Sequence, residues 1–193
     1  MARSLPREWT RYEYKDARKV LIGLRQLQQS LPLAAVDYKV ASLRTRQLRP
    51  YLEGRQAALF CYGIGQILGT DVSFAQVERE DYDIVTRRVV GDELVYTAVQ
   101  LKEWVPNRVR EDSSLQDELD KLHKYVDAKE LVVAFCLNRG ARIEPRELRF
   151  PVGAIGELWF FGAASPDQNN WHLLGNLLSS DARAHEFAYP AAA

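Results

Sequence analysis

Apolar positions along the chain change period several times, and each change marks an element. Trp9, Tyr12, Ala17, Val20, Leu21, Leu24 and Leu27 recur at helical spacing and predict a helix over residues 8–29, limited by Pro32. Val36, Val40 and Leu43 predict a shorter, basic helix over residues 34–47. Pro50 suits the first turn of a third helix, which runs to about Leu68 and stops before Gly69. Ala57, Ala58, Leu59, Phe60, Cys61, Ile64, Ile67 and Leu68 make that helix apolar nearly all round, so it is expected to be largely buried.

The period then falls to two. Val72 to Val77 predict a strand within residues 71–79. Two β-rich runs, residues 83–90 and 94–102, flank Gly91-Asp92 and predict a hairpin. Pro106 and the polar run to Ser114 form a loop, and Ser114 caps a helix over residues 115–126 with Asp117 and Glu118 near its positive end. Leu131 to Leu137 is a continuous run of β-formers, as in a strand buried on both faces. Residues 138–151 are a polar, Arg-rich loop or short hairpin, and Gly156 to Phe161 is a further apolar strand. Ser165-Pro166-Asp167 opens a final helix over about residues 167–178, and the tail ending in Tyr-Pro-Ala-Ala-Ala carries no signal. The sum is a mixed α/β fold: a basic helical extension over residues 1–47, a main domain over 48–180 and a tail over 181–193.

Composition narrows the class. The 193 residues, 47% hydrophobic and 27% charged, are those of a globular chain with a real core. No apolar run reaches the ~20 residues of a membrane span, and the first residues lack the apolar centre of a signal peptide. Cys61 and Cys136 sit in apolar surroundings and read as buried free thiols of a reducing, cytoplasmic compartment. Net charge is zero but uneven: residues 1–56 carry 12 Lys/Arg against 5 Asp/Glu, and the remainder 14 against 21. A segment of net +7 can supply phosphate contacts, although a solvated helix face has the same composition.

The hairpin carries the sharpest chemistry. With the turn centred on Gly91 and Asp92, Asp83 falls opposite Gln100 and Asp81 opposite Lys102. Alternation puts all four side chains on one face, with opposed Cβ atoms about 5 Å apart. Two carboxylates, an amide and an ammonium then share a patch the size of a metal site. A slip of one residue would disperse them. His123, His172 and His185 have no metal-ligand spacing, and no nucleophile–histidine arrangement is apparent. Gly63-Ile-Gly65 lies inside a helix and favours close packing over phosphate binding.

Helix, three strands, helix and strand, with an acid on the first helix (Glu53), an acid on the second strand (Asp83) and Gln100-Leu101-Lys102 on the third, resemble the restriction-endonuclease-like superfamily, the PD-(D/E)XK nucleases. The resemblance covers roughly residues 48–162. It implies an α-β-β-β-α-β core and a metal-dependent nuclease, most often acting on DNA. It also implies Mg²⁺ (or Mn²⁺) held by Asp83, the Gln100 amide oxygen and the Leu101 carbonyl, with Glu53 holding a metal-bound water and Lys102 orienting the attacking water or stabilising charge. Two positions depart from the family pattern: Tyr82 stands where proline is common, and Gln100 replaces the commoner carboxylate, a weaker ligand for a hard dication. The loss of that carboxylate keeps open an inactive binding or assembly module of the same fold, and an RNA-directed nuclease is a further alternative. Arg44, Arg46, Arg49, Arg55 and Arg108 are candidates for gripping phosphates, with Trp104 beside Arg108 able to contact a strand. A homodimer or a protein partner is compatible with the extension.

Overall fold

The computed structural model describes residues 6–32, 35–77, 79 and 81–192. Among the described residues, eight strands lie in sequence order in one mixed sheet: β1 (Lys15–Asp16), β2 (Ser73–Gln76), β3 (Ile84–Val90), β4 (Glu93–Trp104), β5 (Ala128–Leu137), β6 (Ile155–Ala163), β7 (Asn170–Gly175) and β8 (Arg183–Ala188). The helices are few: α1 (Ala17–Ser30), α2 (Tyr38–Ala41), α3 (Arg49–Leu68) and α4 (Leu115–Asp120). The fold is α/β. Among the described residues no helix is long and apolar enough to cross a membrane.

The chain divides into two compact units. The first comprises Met1–Glu78, Ile84–Tyr96 and Tyr189–Ala193; the second comprises Arg79–Asp83 and Thr97–Ala188. In the first unit α1 packs against α3, and β1, β2 and β3 pair antiparallel. α3 follows the sequence closely. Pro50 stands in its first turn, Ala57 to Cys61 are buried without interruption, and Gly69 closes it with a left-handed φ of 63°. α1 starts later than the expected residue 8, because the Asp16 carboxylate accepts the Lys19 N–H at 2.9 Å and fixes the first turn there. Trp9–Arg11 form only a short 3₁₀ turn. The helix expected over residues 34–47 shrinks to Tyr38–Ala41, since Leu43 takes a φ of 58° that no α-helix continues through; Ala34 lies outside the described residues.

In the second unit β4 pairs parallel with β5, and β5 parallel with β6. The crossover through α4 makes that possible. The core beneath is Leu119, Leu122, Leu131, Val133, Phe135, Leu158 and Phe160. Phe135 and Phe160 meet edge to face at 5.9 Å. Ser114 caps α4 through the Asp117 N–H, as expected, but the helix gives way at Lys121 to a 3₁₀ turn that ends at Lys124, short of the expected Val126. The final helix expected over residues 167–178 is absent: those residues include β7, in which Trp171, Leu173 and Gly175 are buried and alternate with less buried neighbours. The tail supplies β8, whose Phe187 faces Trp171. Cys61 and Cys136 are both buried, and neither is in a disulfide.

Candidate functional site

The Gly91-Asp92 turn forms where the sequence puts it, with β3 ending at Val90, β4 beginning at Glu93 and Gly91 at a φ of 61°. At the far end the backbone pairing is shifted: the Asp83 N–H bonds the Val99 carbonyl at 3.1 Å, not Gln100. The Asp83 side chain nevertheless reaches the expected neighbour. Its Oδ2 accepts the Leu101 N–H at 2.7 Å and a hydrogen bond from Gln100 Nε2. Gln100 Nε2 also lies 3.3 Å from the Leu101 carbonyl. Lys102, half-buried, follows two residues on and projects from the same face of β4 as Gln100. Asp81 is exposed.

A buried amide must find partners at both ends, and Gln100 is only 5% exposed. Its oxygen end is met by Tyr125, whose hydroxyl donates to Oε1 at 2.9 Å. Sequence reasoning does not single out this residue, which follows the 3₁₀ turn 25 positions from Gln100. The only signal available was the expectation that an amide at a buried strand position has a polar neighbour. The Tyr125 pKa is pushed up from 10.0 to about 12, first by burial and then by the charges of Asp83 and Asp81. The folded pKa lies above the unfolded one. The stability held in this contact is therefore complete below pH 10 and is lost as pH rises towards 12. The stability difference between wild type and Tyr125→Phe should shrink over that interval in denaturant titrations. A difference that stays constant across it would contradict the assignment.

The remaining sequence candidates fall in both units. Glu53, half-buried on α3 in the first unit, accepts from Arg49 Nε at 2.9 Å, so one candidate acid and one candidate phosphate contact form an ion pair. Arg25 stacks its guanidinium on the Tyr189 ring at 4.2 Å, the Tyr189 hydroxyl donates to the Leu21 carbonyl at 2.8 Å, and the charge of Arg55 acts on the same hydroxyl. Burial raises the Tyr189 pKa against the opposing pull of both arginines. Arg44 is half-buried and Arg46 exposed. Arg108, in the second unit, is exposed on the loop after β4. Arg139 fixes that loop: its guanidinium donates to the carbonyls of Val105 (3.1 Å), Ser113 (2.9 Å), Glu111 (3.3 Å) and Arg110, and stacks on Trp104 at 4.8 Å. Trp104 Nε1 donates to the Ser113 carbonyl at 2.8 Å. Trp104 is thus a buried anchor of the loop, and Arg139 is a second residue that the sequence did not single out.

Among the described residues no three His, Cys, Asp or Glu side chains gather into a metal-binding group. The Asp83 group is of another kind: one carboxylate, one amide and one main-chain carbonyl. The two ends of an amide have nearly the same shape, and its partners decide which way it faces. As found, the nitrogen faces Asp83 and the Leu101 carbonyl, and Tyr125 holds the oxygen. A tyrosine hydroxyl accepts as well as it donates, so it can hold either end. With the amide reversed, the donor set is three hard oxygens, the kind Mg²⁺ takes alongside its waters. The residues therefore fit a hard divalent cation in one of the two amide orientations. Comparison of the chain with protein-family models, with curated proteins and with solved structures found no match.

Proposed function

We propose that this chain is a metal-dependent nuclease with a restriction-endonuclease-like core, hydrolysing phosphodiester bonds, with DNA as the favoured polymer. One observation carries the proposal: Asp83, the Gln100 amide and the Leu101 carbonyl come together at hydrogen-bond distance, with Lys102 next on the same strand face. The order α3-β2-β3-β4-α4-β5, with β4 and β5 parallel, supports the same core. Asp83, Gln100 and Leu101 would hold Mg²⁺ or Mn²⁺. When bound, the ion supplies Lewis-acid polarisation of a phosphate oxygen and a more acidic water.

The chain's own residues do the rest. The Leu101 N–H fixes the Asp83 carboxylate, so its rotamer is set before any ligand arrives. Tyr125 holds the amide of Gln100 in plane. Lys102 brings a positive charge to where charge builds on a phosphate under attack. Lys102→Ala is expected to lower cleavage by about 10²- to 10³-fold, the usual scale for one electrostatic group, and to leave the melting temperature near that of wild type. A full loss of the folded state would instead make Lys102 a structural residue.

A specific observation also favours a second reading, an inactive binding or assembly module of the same fold. The hydrogen bonds of the Asp83 group are closed on themselves: Asp83 Oδ2 has two donors, and both ends of Gln100 are used. Such a network can hold a hairpin together without chemistry. Titration with Mn²⁺ separates the two readings, because the module has no reason to bind the ion at Asp83. Parallel DNA and RNA substrates separate DNA- from RNA-directed cleavage.

A further inference from the structure

The first unit contains a groove of about 310 Å³. This is the small end of the range of ligand sites, roughly the size of one nucleotide. Three arginines line it from two chain-distant elements, Arg18 from the first turn of α1 and the adjacent Arg87 and Arg88 of β3, whose side chains leave the strand on opposite faces. Two tyrosines line it as well, Tyr14 and Tyr62. The roles of the arginines differ. Arg87 lies on the Tyr14 ring at 4.4 Å, and Tyr14 is tied by its hydroxyl to the Trp9 carbonyl at 2.8 Å, so this pair is a fixed wall. Arg18 and Arg88 have no ion-pair partner among the described residues. Two carboxylates also border the groove. Asp16 is committed to the α1 cap, and Asp71 is exposed at the edge. The lining residues carry three positive charges against two negative ones, and the dipole of α1 adds to the positive side.

Guanidinium forks match phosphate oxygens in a bidentate way, and a tyrosine ring takes the face of any base. Asp71 is an acceptor suited to sugar hydroxyls. We propose that this groove binds the phosphate ester of a nucleotide, free or as one unit of a single strand, with Arg18 and Arg88 on the phosphate and Tyr62 against the base. Binding there needs neither the Asp83 group nor a metal ion.

The test uses the full chain in excess chelator, so that no cleavage can occur. Fluorescence anisotropy follows a labelled short single-stranded DNA over a range of salt, and an unlabelled nucleoside monophosphate competes with it. The Arg18→Ala/Arg88→Ala double variant is expected to bind at least tenfold more weakly. Its slope of log affinity against log salt should fall by about 0.7, because both arginines serve one phosphate and each phosphate neutralised on a single strand is worth about 0.7. Arg18→Lys/Arg88→Lys, which keeps the charges, should recover part of both. Arg142→Ala, a change of an exposed arginine in the other unit, should alter neither. Equal melting temperatures show that the fold is intact. Displacement by the monophosphate identifies a free nucleotide as a ligand; binding of the strand without displacement identifies the strand alone. Wild-type affinity and slope in the double variant, or no binding of either probe by the wild type, would overturn the proposal. The outcome is separable from the nuclease reading. Groove-dependent binding by a chain that never cuts leaves this site standing, and cutting by a chain whose binding ignores Arg18 and Arg88 removes it.

Discussion

Asp83→Asn is expected to abolish metal-dependent cleavage while keeping most of the stability that Asp83→Ala loses. Oδ2 of Asp83 is the acceptor for the Leu101 N–H and for Gln100 Nε2. Alanine removes both acceptor contacts, and Leu101 and Gln100 are themselves buried. A buried donor left without a partner costs about 1–3 kcal/mol. Asp83 is half-buried, and water can reach part of the gap, so we expect about 2 kcal/mol in total for the alanine variant. Asparagine keeps the shape and an oxygen that can accept the Leu101 N–H. It cannot supply the negative charge. Denaturant unfolding should place Asp83→Asn between wild type and Asp83→Ala, while both variants fail to cleave. An asparagine variant that cuts as fast as wild type would remove Asp83 from the chemistry.

Gln100→Glu should move stability and metal affinity in opposite directions. The glutamate puts a second carboxylate within contact distance of Asp83 Oδ2 in place of a hydrogen-bond donor. Two carboxylates sharing a site cannot both ionise cheaply, so one is expected to stay protonated to a higher pH. Without metal the variant should be less stable than wild type at neutral pH, by about 2–3 kcal/mol, and should regain stability as the pH is lowered and the pair takes up a proton. With Mn²⁺ or Mg²⁺ the repulsion becomes attraction. The ion should then raise the melting temperature of Gln100→Glu well above its metal-free value, and by more than it raises that of wild type. Thermal unfolding with chelator and with each ion reads both effects. If the glutamate variant ignores the ion, the Asp83–Gln100 pair is a structural hydrogen bond and the module reading takes over.

The parts of the fold that were legible in the sequence are those whose signal is local. Gly91-Asp92 between alternating runs set the hairpin, Pro50 and Gly69 bounded α3, and the Leu131–Leu137 run marked β5. Where two local signals compete, long-range pairing decides between them. Ser165-Pro166-Asp167 has the residues of a helix start, but Trp171, Leu173 and Gly175 have the period of a strand, and pairing with β6 on one side and β8 on the other decides for the strand. β8 itself has little besides Phe187 to bury, so only its neighbour reveals it. The approach of Asp83 to Gln100 was legible because hairpin pairing is a short-range consequence of the turn, although the backbone is shifted by one residue at that end. Tyr125 was not legible, since its place beside Gln100 depends on how the chain after α4 folds back. Glu53 enters only through the resemblance, and its ion pair with Arg49, one turn earlier on α3, is a local contact between two residues that the resemblance and the charge pattern assign to different tasks.

The most direct measurement of the central claim is cleavage of linear, circular and single-stranded DNA, and of RNA, by wild type and Asp83→Asn, each with Mg²⁺, with Mn²⁺ and with chelator. Cutting of at least one polymer that requires the ion and vanishes in the variant is the predicted result. A folded wild type that leaves every substrate intact with either ion would contradict it.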